Sequence, residues 1–372
     1  MITPVKLVLR EVQMSLKEPF RISSGVTDTR RVLLVELHDD AGHIGWGECV
    51  AGETPHYSAE TTDTARMAIT SWLKPFVLGR PLANAVQLSA RWTTIRGHRM
   101  AKAALEMAAW ALEAEARSLP LATLLGGTAT EVPVGISLGL QETIDAIVER
   151  AVAAQAQGYR RIKIKIAPGH DAPWIAAVRE ALGPDMPLSV DANAAYRLDD
   201  TAELAALDAF NLVMIEQPLA GDDLVRHARL QARLATPICL DESIPHAGAC
   251  RDALELAACR IVNIKPGRVG GHAEAIRIHD LCCDQHVPVW CGGMLETGIG
   301  RAHNVALASL PNFRLPNDLS PSARYWTEDI VSPEWTMHHG LVTVPRTQPG
   351  LGVTVRSDMI DHRTTWMDAW QA

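Results

Sequence analysis

Residues 158–169 read GYRRIKIKIAPG, a stretch in which three cationic residues alternate with three isoleucines. Alternate residues of a β-strand face opposite sides, so the isoleucines would share one face and Arg161, Lys163 and Lys165 the other. This pattern fits either a sheet face wetted by solvent or a strand whose lysines point into an enclosed site. The rest of the chain decides between the two interpretations.

Short apolar segments recur from about residue 132, each followed by a helix-like segment. They are VPVGISLG, RIKIKIA, PLSVDAN, LVMIEQP, PICLDES, RIVNIKP and VPVWCGG, with a weaker eighth near LPNDLS. Polar residues at their C-terminal ends recur about every 24 to 28 residues, which suits a strand, a helix and two loops. The repeat predicts a closed TIM-like α/β barrel, whose active sites lie at the C-terminal strand ends. An open doubly wound sheet is the alternative, although no GxGxxG follows a first strand.

The first 127 residues have a different texture and predict an α+β domain. Residues 1–50 read as strands, with a turn at DDAG, and helices are expected from about Ser58 and over RMAKAALEMAAWALEAEAR. We therefore predict a small domain over 1–127, a barrel over 128–324, and a C-terminal segment over 325–372 that returns to the first domain.

Composition restricts the classes of partner. The net charge of −8 argues against nucleic acid or an anionic membrane as the main partner, but permits a small anionic substrate in a basic pocket. The seven cysteines form no CxxC pair, which indicates reduced thiols. No segment resembles a signal peptide or approaches a membrane span, so we expect a cytoplasmic protein.

Three carboxylates end consecutive predicted strands: Asp191, Glu216 and Asp241. In a barrel they would converge, and close carboxylates either raise their pKa values or hold a cation. Ligation by oxygen alone selects a hard ion such as Mg²⁺. Each carboxylate alone would fit a helix N-cap equally well, but three at matched positions favour the metal site.

Lysines flank this acidic centre on both sides, Lys163 and Lys165 on the second strand and Lys265 on the sixth. Two ammonium-bearing chains would then face each other across a bound ligand. Positive charge from a metal ion and from Arg268 would lower the pKa of such a lysine towards that of a useful base. The arrangement suits removal of a proton α to a carboxylate through an enediolate.

The motifs KIKIAPG, SVDANAAY, MIEQPL, CLDES, NIKPGRVGG and CGGMLETGIGRAHN together resemble the enolase superfamily, in its branch of N-acylamino acid racemases and o-succinylbenzoate synthases. GWGECVAGETPHYSAE and PLATLLGG extend the resemblance into the first domain. It implies a (β/α)7β barrel with an α+β capping domain.

The resemblance also implies roles for individual residues. Asp191, Glu216 and Asp241 would bind Mg²⁺, or Mn²⁺ or Co²⁺, while Lys165 and Lys265 would be the acid/base pair. The expected substrate-binding residues are Ser137, Lys163, Asn193, Gly293 and Met294, and Arg268 would modulate Lys265. Capping loops near 20–27 and 52–58 would contact the distal part of the substrate, Glu296 would orient its neighbours, and homo-oligomers are usual in the family.

We expect racemisation of an N-acylated amino acid such as an N-succinyl derivative, because lysines on both faces can each serve as base for one enantiomer. The alternative is o-succinylbenzoate synthase, a dehydration in menaquinone biosynthesis that needs only one acid/base lysine; one enzyme could perform both. Muconate-type cycloisomerases share the two lysines, whereas dipeptide epimerases typically carry D-x-D where this chain has Asp318 and Ser320. A non-catalytic descendant should have lost one of these groups, and none is lost.

Overall fold

The computed structural model of the protein describes residues 1–22 and 25–372. The chain begins with three antiparallel strands, β1 (Pro4–Ile22), β2 (Gly25–Asp39) and β3 (Ile44–Cys49). The turn between β2 and β3 falls at the predicted DDAG. Residues 23 and 24 of the expected capping loop lie outside the described residues.

Four helices follow, namely α1 (Thr62–Ala68), α2 (Val86–Arg91), α3 (Arg99–Ala116) and α4 (Leu121–Leu124), with a π turn over Ile69–Leu73 and a 3₁₀ turn over Lys74–Phe76. Helix α1 begins later than expected because Thr61 caps it, its hydroxyl accepting from Thr64 N at 3.2 Å. Helix α3 packs directly on β3: a Cβ at Gly47 would lie 2.1 Å from Ala104 O. The alanines of α3 and the glycines of β3 therefore allow a very close contact.

A short strand, β4 (Glu131–Pro133), precedes the seven strands of the barrel sheet, which are β5 (Ile136–Leu138), β6 (Ile162–Lys165), β7 (Leu188–Asp191), β8 (Ile215–Glu216), β9 (Ile238–Leu240), β10 (Ile261–Ile264) and β11 (Val289–Cys291). The helices are α5 (Ile144–Ala156), α6 (Ala172–Leu182), α7 (Thr201–Ala206), α8 (Leu224–Gln231), α9 (Ala247–Glu255), α10 (Pro266–Val269), α11 (His272–Asp284) and α12 (Gly298–Ala308), with 3₁₀ turns over Leu198–Asp200, Leu207–Phe210 and Ser322–Arg324.

Strands β5 to β11 form one parallel sheet in chain order. The predicted eighth segment links its two edges: Phe313 bridges to Val289 of β11, and Asn317 bridges to Val134 before β5. Asp318 N also donates to Cys291 O at 2.9 Å. The prediction of a TIM-like barrel is confirmed, and the open doubly wound sheet is excluded.

Both faces of the K-x-K strand are buried. Ile162 and Ile164 are at most 1% exposed and belong to the hydrophobic core, while Lys163 on the opposite face is only 3% exposed. The alternation in GYRRIKIKIAPG is therefore not a wetted sheet face. It places isoleucines in the core and lysines inside the barrel.

The chain ends with β12 (Val331–Ser332), β13 (Leu341–Thr343), β14 (Thr354–Val355), α13 (Ser357–Arg363) and β15 (Thr364–Gln371). Strand β13 pairs with β4, just before the first strand of the barrel sheet, and β15 then pairs with β1 to complete a four-stranded sheet in the order β15-β1-β2-β3. The C-terminal strand thus joins the sheet of the first domain, while the boundaries 1–127, 128–324 and 325–372 stay a prediction. Over the described residues, no helix combines the length and apolarity needed to cross a membrane.

Candidate active site

A cavity of about 610 Å³ lies where the first domain meets the C-terminal ends of the barrel strands. From the barrel it is lined by Lys165, Asn193, Lys265, Gly293, Met294 and Leu295. From the first domain it is lined by β2 and by residues of the predicted capping loops, including Phe20, Gly25–Thr27 and the segment 52–58. Both predicted acid/base lysines thus line the same cavity.

The three predicted metal ligands lie side by side below this cavity. Asp191 ends β7 and is in register with Glu216, which ends β8. Asp241 follows β9 directly, and all three carboxylates are at most 2% exposed. The strand repeat therefore places the three carboxylates at neighbouring strand ends, because neighbouring parallel strands end at the same level.

Lys165 and Lys265 form ion pairs with different carboxylates. Lys165 Nζ lies 2.7 Å from Asp191 Oδ2 and 2.5 Å from Asn193 Oδ1. Lys265 Nζ lies 2.7 Å from Asp241 Oδ2. Burial disfavours the ionised form of Asp191, but the ammonium groups of Lys165 and Lys163 outweigh it and hold its pKa below the ordinary value.

Lys163 lies one layer deeper than Lys165 and does not line the cavity. Its ammonium is 2.8 Å from Glu216 Oε2, 3.0 Å from Asp318 Oδ2 and 3.3 Å from Asp191 Oδ2. Below it, Arg161 pairs with Asp318 at 2.9 Å and stacks on Trp290. The lower layer is thus an ion-pair network that supports the mouth of the barrel.

Arg268 contacts Asp241 rather than Lys265. Its Nη1 touches Asp241 Oδ1, while Nη2 donates to Asn263 O at 2.8 Å. Burial favours a lower pKa for Lys265, but Tyr57, Glu216 and Glu242 outweigh burial and raise its pKa. The side chains around Lys265 therefore do not produce the expected lowering of its pKa. Arg268 can influence Lys265 through Asp241, which both residues contact.

The remaining predicted substrate residues divide into two groups. Gly293 and Met294 line the cavity, whereas Ser137 lies on β5 next to Lys163, and its buried hydroxyl has no hydrogen-bond partner among the described residues. Glu296 accepts from Met294 N at 2.9 Å and from Asn304 Nδ2 at 2.8 Å. This geometry matches the orienting role predicted for Glu296.

Two residues at the centre of the site had no predicted role of their own. Tyr57, in the segment 52–58, accepts a hydrogen bond from Lys265 Nζ at 3.1 Å and donates one to Asp241 Oδ1 at 3.1 Å. Glu242, directly after Asp241, accepts from Asn193 Nδ2 at 3.1 Å. The second acid of CLDES was a visible signal for Glu242, but only the folded loop brings Tyr57 to the lysine.

The donor chemistry of the site fits a hard divalent cation. Glu242 Oε2 is buried without a hydrogen-bond partner in the described part of the chain, and the negative charge of Asp191 adds to burial in raising the pKa of Glu242. Within residues 1–22 and 25–372 no three acidic, histidine or cysteine side chains converge in metal-ligating geometry, because the carboxylates face the lysines. The buried oxygen of Glu242, unpartnered among the described side chains, is nonetheless the kind of group that a cation such as Mg²⁺ would neutralise.

Comparison with known families covers nearly the whole chain. Residues 4–126 match the N-terminal domain of the mandelate racemase and muconate lactonizing enzyme family, and residues 146–359 match the enolase C-terminal domain-like family.

Curated relatives carry two different names. The chain is 51% identical over 358 residues to o-succinylbenzoate synthase of Geobacillus kaustophilus, covering 96% of this chain and 95% of the relative. It is 48% identical over 357 residues to N-succinylamino acid racemase of Amycolatopsis sp., covering 96% of each protein.

Solved structures agree with the fold. A member of the enolase superfamily from Listeria innocua superposes with a TM-score of 0.96 at 37% identity, over 100% of both chains. A dipeptide epimerase from Cytophaga hutchinsonii, solved with Mg and the dipeptide D-Ala-L-Val, superposes with a TM-score of 0.91 at 25% identity, over 99% of this chain and 100% of the epimerase. From its two domain matches and its closely similar relatives, the chain belongs to the enolase superfamily of enzymes.

Proposed function

We propose that the protein is an N-succinylamino acid racemase that moves the α-proton of its substrate between Lys165 and Lys265. The observation that carries the proposal is that both lysines line one cavity from strands β6 and β10, with three strands between them. Racemisation needs a base on one face of the α-carbon and an acid on the other, which two opposed lysines supply in either direction. The Amycolatopsis relative supports this choice.

The surrounding residues would prepare the two lysines. Asn193 and Asp191 fix the ammonium of Lys165, and Tyr57 and Asp241 fix that of Lys265, so each Nζ is held in one position at the mouth of the barrel. Such positioning contributes to catalysis because reacting groups need not be ordered during each turnover. The loops 20–27 and 52–58 would cover the substrate and exclude water.

We further propose that Asp191, Glu216 and Asp241 hold a divalent cation, Mg²⁺ or in its place Mn²⁺ or Co²⁺. When bound, this ion stabilises the negative charge that develops on the substrate carboxylate as the α-proton leaves. Lys163, with its ammonium among three carboxylates, would maintain the charge balance below the substrate and assist in binding its carboxylate.

The second candidate is o-succinylbenzoate synthase, the name of the Geobacillus relative. A syn dehydration requires one acid/base lysine, and the opposite ammonium would act electrostatically. The same cavity could hold both substrates, so one protein could perform both reactions.

The deciding experiment measures kcat/KM for both reactions on one preparation with Mg²⁺. Racemisation of N-succinyl amino acids is followed by polarimetry, and dehydration of the cyclohexadiene precursor by its absorbance. Racemisation of both enantiomers at a specificity constant typical of enzymes, above about 10⁴ M⁻¹s⁻¹, supports the proposal. Dehydration far faster than racemisation would assign the protein to the synthase reaction instead.

A further inference from the structure

One cationic side chain of the cavity lining has no ion-pair partner among the described residues. Four lysines or arginines line it: Arg30, Arg31, Lys165 and Lys265. Both lysines hold carboxylates, and Arg31 pairs with Glu11 and Asp63 at 2.8 and 2.9 Å. Arg30 forms no ion pair with any described residue.

The Arg30 guanidinium is also poor in hydrogen bonds. The residue is 7% exposed, its Nε is buried without an acceptor in the described part of the chain, and Nη2 reaches only Val50 O, at 3.4 Å. A guanidinium carries five N–H donors, and leaving a buried charge without partners is costly. Such a group is therefore expected to receive an anionic partner from outside the protein.

The acidic residues of the cavity lining do not provide that partner. Glu11 is bound by Arg31 Nε and Nη2 at 2.9 and 2.8 Å. Glu60 caps α3, accepting from Met100 N and Ala101 N at 2.9 and 3.1 Å, and Glu53 accepts from Arg31 N. Each of these carboxylates is engaged away from Arg30, and the remaining acidic residue of the lining, Asp28, forms no ion pair with Arg30.

Arg30 lies on the first-domain side of the cavity, close to the turn α10 that follows Lys265. Its hydrogen-bond partner Val50 packs on Gly267, where an added Cβ would lie 2.6 Å from Val50 Cγ2, and Gly267 is two residues after Lys265. A substrate with its α-carbon at the lysines and its acyl chain extending towards the first domain would bring the end of that chain to Arg30.

We propose that Arg30 binds the distal carboxylate of the N-acyl group and so makes the enzyme selective for acyl chains that end in a carboxylate. The inference rests on the proposed function, because it assumes an N-acylamino acid in the cavity. The planar guanidinium matches a carboxylate through two parallel hydrogen bonds. A neutral acyl chain of the same length would leave the cation unpaired.

The test compares an N-succinyl amino acid with the corresponding N-butyryl amino acid. The succinyl chain ends in a carboxylate where the butyryl chain ends in a methyl group. The wild type should racemise the succinyl substrate with the higher kcat/KM. Arg30→Met should lower kcat/KM for the succinyl substrate roughly 10- to 100-fold, mainly through KM, and leave the butyryl substrate nearly unchanged. Arg31→Met, which removes the same charge one residue later, should keep the wild-type ratio.

Activity on the butyryl substrate reports that the variant is folded. Equal losses on both substrates in Arg30→Met, or an unchanged ratio, would overturn the role of Arg30 while the racemase function stands. If the wild type racemised neither substrate in Mg²⁺, the proposed function would fall, and the assignment of Arg30 with it.

Discussion

Tyr57 and Lys265 meet where the segment 52–58 of the first domain covers the barrel. Lys265 Nζ lies 3.1 Å from Tyr57 Oη and 4.7 Å from the centre of its ring, and the same hydroxyl donates to Asp241. One phenol thus joins the covering loop to a lysine and a carboxylate of the site.

Tyr57→Phe should lower kcat roughly 5-fold with a small change in KM, because it removes a hydrogen bond worth about 1 kcal/mol that positions Lys265 while keeping the ring. Steady-state racemisation measures both parameters. The matched control is Tyr196→Phe, since Tyr196 Oη donates to Asp171 Oδ2 at the same 3.1 Å and does not line the cavity. Equal effects of the two variants on kcat would refute a positioning role for Tyr57.

Magnesium should stabilise the folded protein through Asp191, Glu216 and Asp241. A ligand at 100 times its Kd adds about 2.7 kcal/mol to the free energy of unfolding, which thermal melts in Mg²⁺ and in EDTA would detect. Asp241→Asn should lose most of this Mg²⁺-dependent rise in Tm. Asp223→Asn should keep it, because Asp223 caps α8, accepting from Arg226 N at 3.0 Å. An identical rise in Asp241→Asn and the wild type would show that the ion binds elsewhere.

Glu48 should control substrate affinity from outside the cavity. This buried carboxylate on β3 accepts from Thr297 N and Oγ1 at 3.1 and 2.6 Å and from Gly300 N at 2.9 Å, and so fixes the start of α12 just after the loop that carries Met294. Glu48→Gln places an amide N–H against these donors, so we expect KM to rise several-fold and the free energy of unfolding to fall by about 1–3 kcal/mol.

The variant Glu106→Gln is the matched control for Glu48→Gln. Glu106 is an equally buried first-domain carboxylate that caps a different helix, accepting from His272 N at 2.7 Å and Ala273 N at 2.9 Å at the start of α11. We expect a similar loss of stability without the rise in KM. A rise in KM in both variants would mean that loosening the domain junction, rather than the loop after β11, is responsible.

A buried histidine pair should make the junction sensitive to acid. His303 Nε2 must donate to Trp46 O, at 2.8 Å, so its Nδ1 accepts from His272 Nε2 at 2.9 Å and both rings are neutral. Burial lowers the pKa of His303 to about 4, and burial with the neighbouring ring lowers that of His272 as well.

The unfolded chain therefore binds more protons than the folded protein between about pH 4 and pH 6.5, and stability is lost as the pH falls through this window. The contribution of His303 should drop by roughly 2 kcal/mol between pH 7 and pH 5. Glu106, whose pKa burial raises to about 7, acts in the opposite sense. Urea unfolding at both pH values should thus be compared between the wild type and His303→Gln, and equal pH dependence would refute the histidine contribution.

Much of the fold could be predicted because the barrel repeat is local in sequence. The strands of this barrel are short and most of them end at or just before a polar residue, so the strand-end positions of Asp191, Glu216 and Asp241 could be predicted from the spacing. The eighth segment has a weaker strand pattern in its sequence than the other seven. In the structure it joins its neighbours through isolated bridges, such as that of Asn317 to Val134.

Contacts between the domains could not be predicted in the same way. Tyr57 and Glu48 are distant in sequence from Lys265 and Thr297, which they contact, and these contacts depend on how the first domain sits over the barrel. The direction of the Arg268 side chain, towards Asp241 rather than Lys265, likewise depends on packing in the turn α10. Spacing identifies which strand end a residue occupies, but not which of several nearby charges it contacts.

The most direct test of the two-lysine account is α-proton exchange in D₂O, followed by ¹H NMR, with each enantiomer of an N-succinyl amino acid. The wild type should exchange the α-proton of both enantiomers and interconvert them. Lys165→Arg and Lys265→Arg should each abolish racemisation, each losing exchange with the enantiomer whose proton the missing lysine removes and retaining some exchange with the other. The account would be contradicted if one variant lost exchange with both enantiomers while the other variant kept it with both. A single lysine would then be the only base.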